Sequence, residues 1–203
     1  MFENWIEKHR CKPVKGLINA LESPRYESFE RRLIKFFERP LPARPRATQA
    51  VKLVREMAPM IITEKLEAVI EQGRAVLDNP KLKEFHRLRI QMKRLRYACE
   101  FMAPAYDGAL DPFIDHTVEL QDCLGDIQDT VFTREFIDYL FEDWKDKLVE
   151  PIVVFILGEI YQLQGEIEKE RQKGFNKMWA RFASEETIMY LNETLSIQAT
   201  EEK

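Results

Sequence analysis

Residues 85–101 read FHRLRIQMKRLRYACEF, and the spacing within them decides the fold class of the region. On a wheel at 100° per residue, Phe85, Leu88, Met92, Leu95, Cys99 and Met102 fall within an arc of about 100°, the width of an apolar stripe that faces a core. His86, Arg89, Lys93 and Arg96 flank that stripe on one side, and Lys83, Arg87 and Arg94 on the other. The pattern predicts a helix over about Lys81–Met102, amphipathic and very basic. From Lys81 to Arg96 there are seven Lys or Arg residues and one acid, Glu84, in a chain of net charge −4. Like charges three and four residues apart repel along a helix, so this arrangement requires an offsetting partner.

The same period extends in both directions. Ser23 followed by Pro24 reads as an N-cap with proline at the first helical position, opening a helix to about Glu38 with Phe29, Leu33, Phe36 and Phe37 on its buried side. Pro40, Pro42 and Pro45 form a stiff break. A segment from Thr48 to about Met57 leads to Pro59, expected to kink the chain or start a new helix running to Leu77. Asp78, Asn79 and Pro80 precede the basic helix, and Pro104 with Asp107-Gly108 marks a turn after it. Further helices are expected over about Pro112–Ile127, Asp129–Trp144, Leu148–Lys173 and, after Gly174, Phe175–Phe182. With seven glycines and no alternating strand pattern, the class is all-α: antiparallel helical bundles.

Composition narrows the function. At 45% hydrophobic and 33% charged residues, the chain is too apolar for disorder and too interrupted by charge to cross a bilayer. Its first residues lack a secretory pattern, which leads to an expectation of a cytoplasmic protein. Cys11, Cys99 and Cys123 lack CxxC spacing and are expected as reduced core thiols, with neither a disulfide framework nor a metal site. Charge is unevenly distributed. Residues 1–103 carry 22 basic and 13 acidic groups, 104–168 carry 3 and 16, and 169–203 carry 6 and 6. A mildly acidic total therefore conceals a surface able to attract a polyanion.

Two partners fit the basic helix. Asp111, Asp115, Glu119, Asp122, Asp126 and Asp129 share one helical face, and an antiparallel neighbour carrying it would pair with Arg89, Arg94 or Arg96. The other partner is a multivalent anion held by several cations at once. The two are compatible.

The strings His86-Arg87-Leu88-Arg89-Ile90, Lys93-Arg94-Leu95-Arg96-Tyr97, Glu100-Phe101 and Leu120-Gln121-Asp122-Cys123-Leu124-Gly125-Asp126-Ile127-Gln128-Asp129 resemble the CHAD domain, the conserved histidine α-helical domain. Its pattern is approximately H-x-x-R-x-x-x-K-R-L-R-Y-x-x-E-F, a spacer, then L-Q-x-x-L-G-x-x-x-D, and every position is filled. The resemblance implies a helical protein that binds inorganic polyphosphate along a basic groove, with no catalysis of its own and no cofactor or metal. Carried over, His86, Arg89, Lys93 and Arg96 face the polyphosphate. Arg94 joins them or braces an acid, Tyr97 adds a phenolic donor, and Glu100 orients Arg96. Gln121, Gly125 and Asp129 read as structural, with Asp129 capping a helix or holding an arginine. Arg25, Lys177 and Arg181 are further candidate cations, as are Arg31, Arg32, Lys35 and Lys173. Physical expectation agrees: arginine forks match phosphate oxygens, and a protonated His86 strengthens binding below about pH 7.

The pattern also departs from the family, whose domains contain two related halves, each with its own H-x-x-R helix. One is visible here. Residues 1–46 resemble the tail of a first half, a partial bundle, and 47–203 a complete four-helix-type bundle. The expectation is a short form that completes its groove as a homodimer, or a fragment. The strongest alternative is an RNA or other nucleic-acid binder, disfavoured because only Tyr97 interleaves with the cations for base stacking. An all-α enzyme acting on diphosphates is weaker, since Asp122, Asp126 and Asp129 form no DDxxD. A di-metal bundle lacks Glu-x-x-His, and a phosphorylated His86 would be crowded by Ile90 and Lys93.

Overall fold

The structure is a computed structural model that describes residues 2–40, 49 and 51–197. It is all-α, with no strand among the described residues. The helices are α1 (Phe2–Leu21), α2 (Pro24–Phe37), α3 (Val54–Asp78), α4 (Leu82–Met102), α5 (Asp111–Trp144), α6 (Pro151–Phe182) and α7 (Glu185–Ile197), with a 3-10 turn at Ala103–Ala105. The chain divides into two compact units, 1–51 with 149–153, and 52–148 with 154–203. The expected proline break at Pro42 and Pro45, the helix start at Thr48 and the boundary between residues 46 and 47 lie outside the described residues.

In the first unit, α2 begins as its sequence requires: the Tyr26 amide donates to Ser23 Oγ at 3.3 Å, and Pro24 takes the first position. The expected buried side is not buried. Phe29, Leu33, Phe36 and Phe37 are all exposed, Phe37 to 75%, and neither α1 nor α2 contains a buried residue. These two helices pack against each other, and a pair of helices cannot enclose its own apolar faces. Cys11 correspondingly lies outside any core and donates to Glu7 at 3.2 Å.

The second unit holds the core. The six stripe residues of α4 are all buried, Phe85 through Met102. They meet Ala58, Ile62, Leu66, Val69 and Val76 of α3, Leu120, Leu124 and Ile127 of α5, Phe175, Trp179 and Phe182 of α6, and Leu191 and Leu195 of α7. At Gly73 the α3 backbone admits the Trp179 indole so closely that a Cβ there would sit 1.9 Å from Cη2. The turn before α5 uses left-handed backbone at Asp107 (φ 50°) and Gly108 (φ 83°), as the Asp-Gly pair suggests.

Three expected breaks do not occur. Pro59 lies inside a continuous α3. Its missing N–H would leave the Arg55 carbonyl, four residues back, without a partner, and the buried Tyr106 hydroxyl donates to that carbonyl at 3.5 Å. Arg55 in turn donates from Nε to the Ala105 carbonyl at 2.6 Å, tying the start of α3 to the turn after α4. The two helices expected between Pro112 and Trp144 are one helix, α5, of 34 residues. Asp129 is therefore an exposed mid-helix residue and caps nothing. Gly174 likewise lies within α6, where a Cβ would meet open space. Neither glycine nor aspartate ends a helix whose apolar stripe continues past it. The helix α7 was not anticipated.

Candidate functional site

The candidate site is the seam between α4 and α5. His86 Nδ1 and Gln128 Oε1 are hydrogen-bonded at 2.8 Å across the seam, the amide oxygen accepting. Arg89 Nε and Nη2 each lie 3.9 Å from the position of a Cβ on Gly125. These pairs are three residues apart on each helix and run in opposite directions. The helices are therefore antiparallel, and the register continues to place Lys93 level with Gln121. The α5 flank that meets the basic row is thus Gln121, Gly125 and Gln128, which carries no charge.

The guanidinium of Arg89 is half-buried, and its Nε is fully covered without a hydrogen-bond partner. Gln121 Oε1 is also covered and unpartnered. Arg96 Nε lies 3.5 Å from Glu100 Oε1, an ion pair whose angle falls short of a hydrogen bond. The expectation that Glu100 orients Arg96 accords with this distance. The Arg96 guanidinium lies 5.0 Å, and the Lys93 ammonium 6.0 Å, from the centroid of the exposed Tyr97 ring, within reach of cation–π attraction. An open cleft of about 260 Å³ adjoins His86, lined also by Lys83, Gln128 and Glu135.

The acidic stripe faces elsewhere. Asp126 pairs with Arg171 at 3.2 Å and Glu119 with Arg181 at 3.1 Å, both partners on α6. Among the described residues no ion pair joins an α5 acid to an α4 cation. On a wheel, the middle of the acidic stripe lies about 80° around α5 from Gly125, and the two acids paired with α6, Asp126 and Glu119, are at its far edge. Among the described residues the ion pairs of the basic helix are local, Arg87 with Glu84 at 2.9 Å and Arg96 with Glu100, and Glu84 also accepts from Gln72 of α3 at 2.9 Å. That amide first, then Arg87, holds the Glu84 carboxyl below its usual range.

The structure brings His86, Arg89, Lys93, Arg96 and Tyr97 together along one edge. Arg94 is exposed on the opposite flank, donating weakly to Gln91 at 3.4 Å. Arg181 is committed: besides Glu119, its Nη2 donates to His116 Nε2 at 3.1 Å. Lys177 is exposed on α6, and Arg25 is exposed on α2 in the N-terminal unit. Sequence reasoning overlooked Gln128. Its signal is the three-residue step from Gly125, which puts it on the same helix flank.

No helix among the described residues is long and apolar enough to cross a membrane. A search of curated proteins finds no match. Among family models, that of the CHAD domain matches residues 2–138, two-thirds of the chain.

Proposed function

The chain belongs to the CHAD domain family, and from that premise we propose that it binds inorganic polyphosphate, without catalysis, along the seam of α4 and α5. The observation that supports this most directly is Arg89: a guanidinium set against an uncharged helix flank, its Nε covered and unpartnered, with Lys93 and Arg96 following on the same edge. Among the described residues no α5 acid forms an ion pair with these cations, and Asp126 and Glu119 pair with α6 instead. A chain of phosphates relieves their mutual repulsion, with one oxyanion after another meeting His86, Arg89, Lys93 and Arg96 as the helix rises. Lys93 and Arg96 lie near the Tyr97 ring at the far end of the row.

A binding isotherm with medium-chain polyphosphate tests this on the wild type and an Arg89→Ala, Lys93→Ala, Arg96→Ala variant with helicity checked by circular dichroism. Loss of binding in the folded variant is expected, and unchanged binding sinks the assignment. The wild-type log–log salt slope should be about −0.7 per phosphate neutralised. RNA of matched charge is the competitor to include at two salt concentrations. If RNA displaces polyphosphate at both, the seam is a nucleic-acid site.

A further inference from the structure

A second cleft, of about 340 Å³, lies between the end of α3 and α6. One wall is a single face of α6, on which Lys169, Gln172, Lys173 and Asn176 recur at i, i+3, i+4 and i+7. The other wall is apolar, formed by Leu77 and Phe85 among others. The arrangement is lopsided. Two ammonium groups four residues apart repel, and among the described residues neither has an ion-pair partner. They face hydrocarbon across the cleft, and Leu77 is 47% exposed on the apolar side.

Gln172 is held in place: its Nε2 donates to Glu168 Oε1 at 3.0 Å, and Glu168 is itself buried and bonded to Arg134 at 2.9 Å. The amide oxygen of Gln172 is therefore left as an oriented acceptor. Phe85 is also fixed, packed edge-on against Phe175 with centroids 5.2 Å apart.

We infer that this cleft binds a nucleoside monophosphate. A flat, weakly polar base suits the apolar wall, an exocyclic amine suits the Gln172 oxygen, and one phosphate neutralises Lys169 and Lys173. A cleft of this volume lies within the range of small-molecule sites, which combine apolar lining with a few placed polar groups. Bare phosphate chains leave the apolar wall unused, and alkyl anions leave the amides unmatched. The polar wall belongs to α6, outside the segment that matches the family, and shares none of its charged residues with the α4–α5 seam.

Adenosine 5′-monophosphate is the probe, titrated by calorimetry into the full chain beside adenosine and pyrophosphate. AMP is expected to bind tighter than either by about tenfold, and Lys169→Gln, Lys173→Gln to lose about tenfold with unchanged helicity. Amide shifts at Val76, Leu77 and Phe85 should accompany binding. The inference is overturned if AMP does not saturate, if pyrophosphate shifts the Val76, Leu77 and Phe85 amides at as low a concentration as AMP, or if the folded double variant retains full affinity.

Discussion

Arg89 reaches across from α4 to rest against Gly125 of α5, its Nε and Nη2 each 3.9 Å from where a side chain on that glycine would begin. The contact links the two halves of the family pattern, the arginine from the first string and the glycine from the second. At 3.9 Å a methyl group makes an ordinary contact, so Gly125→Ala should keep polyphosphate affinity and leave stability unchanged or raised by up to about 1 kcal/mol. Gly125→Leu should displace the guanidinium and lower affinity several-fold in a folded protein. Equal affinities for the two variants, measured by isotherm, would remove the contact from the binding account.

Gly73 allows no such latitude. A Cβ there would lie within 1.9–2.4 Å of three indole carbons of Trp179, and the indole is 5% exposed within the core. Gly73→Ala should destabilise by about 1–3 kcal/mol, the usual range for overpacking, read as a lower urea midpoint. Adding Trp179→Leu should recover part of that loss.

Pro59 and Tyr106 are predicted to be coupled. Tyr106→Phe leaves the Arg55 carbonyl without its donor and should cost about 1 kcal/mol. In that background Pro59→Ala restores a backbone N–H for the same carbonyl and should recover most of the loss. A thermal-unfolding double-mutant cycle with purely additive terms would refute the pairing.

The buried thiols give a pH dependence of defined sign. Burial pushes Cys99 from 9.0 up to about 12, and Cys123 is raised for the same first reason. In alkali the unfolded chain therefore releases these protons while the folded chain retains them. Their contribution to stability is complete below about pH 9 and declines as the pH rises towards 12. Urea unfolding at stepped alkaline pH should show a shallower decline for Cys99→Ala than for wild type. At pH 8 iodoacetamide should modify Cys11 in the folded protein and reach Cys99 and Cys123 only after unfolding.

Legibility in the sequence followed the strength of each stripe. Six apolar positions at helical spacing placed α4 and its buried face correctly, and the flanking cations fell on the flanks expected. Boundaries were less readable because Pro59, Asp129 and Gly174 are local signals, whereas the apolar stripes of α3, α5 and α6 run through them; tertiary contacts such as Tyr106 to Arg55 complete the exceptions. The face of α2 was misjudged for a different reason: an amphipathic pattern states that a face is apolar, not that a third element covers it. The direction of the acidic stripe required knowledge of which flank of α5 meets α4, and that is visible only in cross-helix contacts such as His86 with Gln128 and Arg89 beside Gly125.

The unbroken length of α5 has a kinetic consequence. At 1.5 Å per residue, its 34 residues form a wall about 50 Å long, uncharged where Gly125 and Gln128 meet α4 and acidic where Asp126 and Glu119 meet α6. The opposite charges of this acidic chain are thus held apart by about one helix diameter, near 10 Å, comparable to the Debye length at 0.1 M salt. At physiological ionic strength an approaching polyanion senses mainly the side it meets. Lowering the salt lengthens the reach of the acidic side and introduces repulsion from behind. The association rate with polyphosphate should consequently rise less steeply on dilution of salt than the row of cations alone would dictate, and the molecule should turn to present one side before it docks.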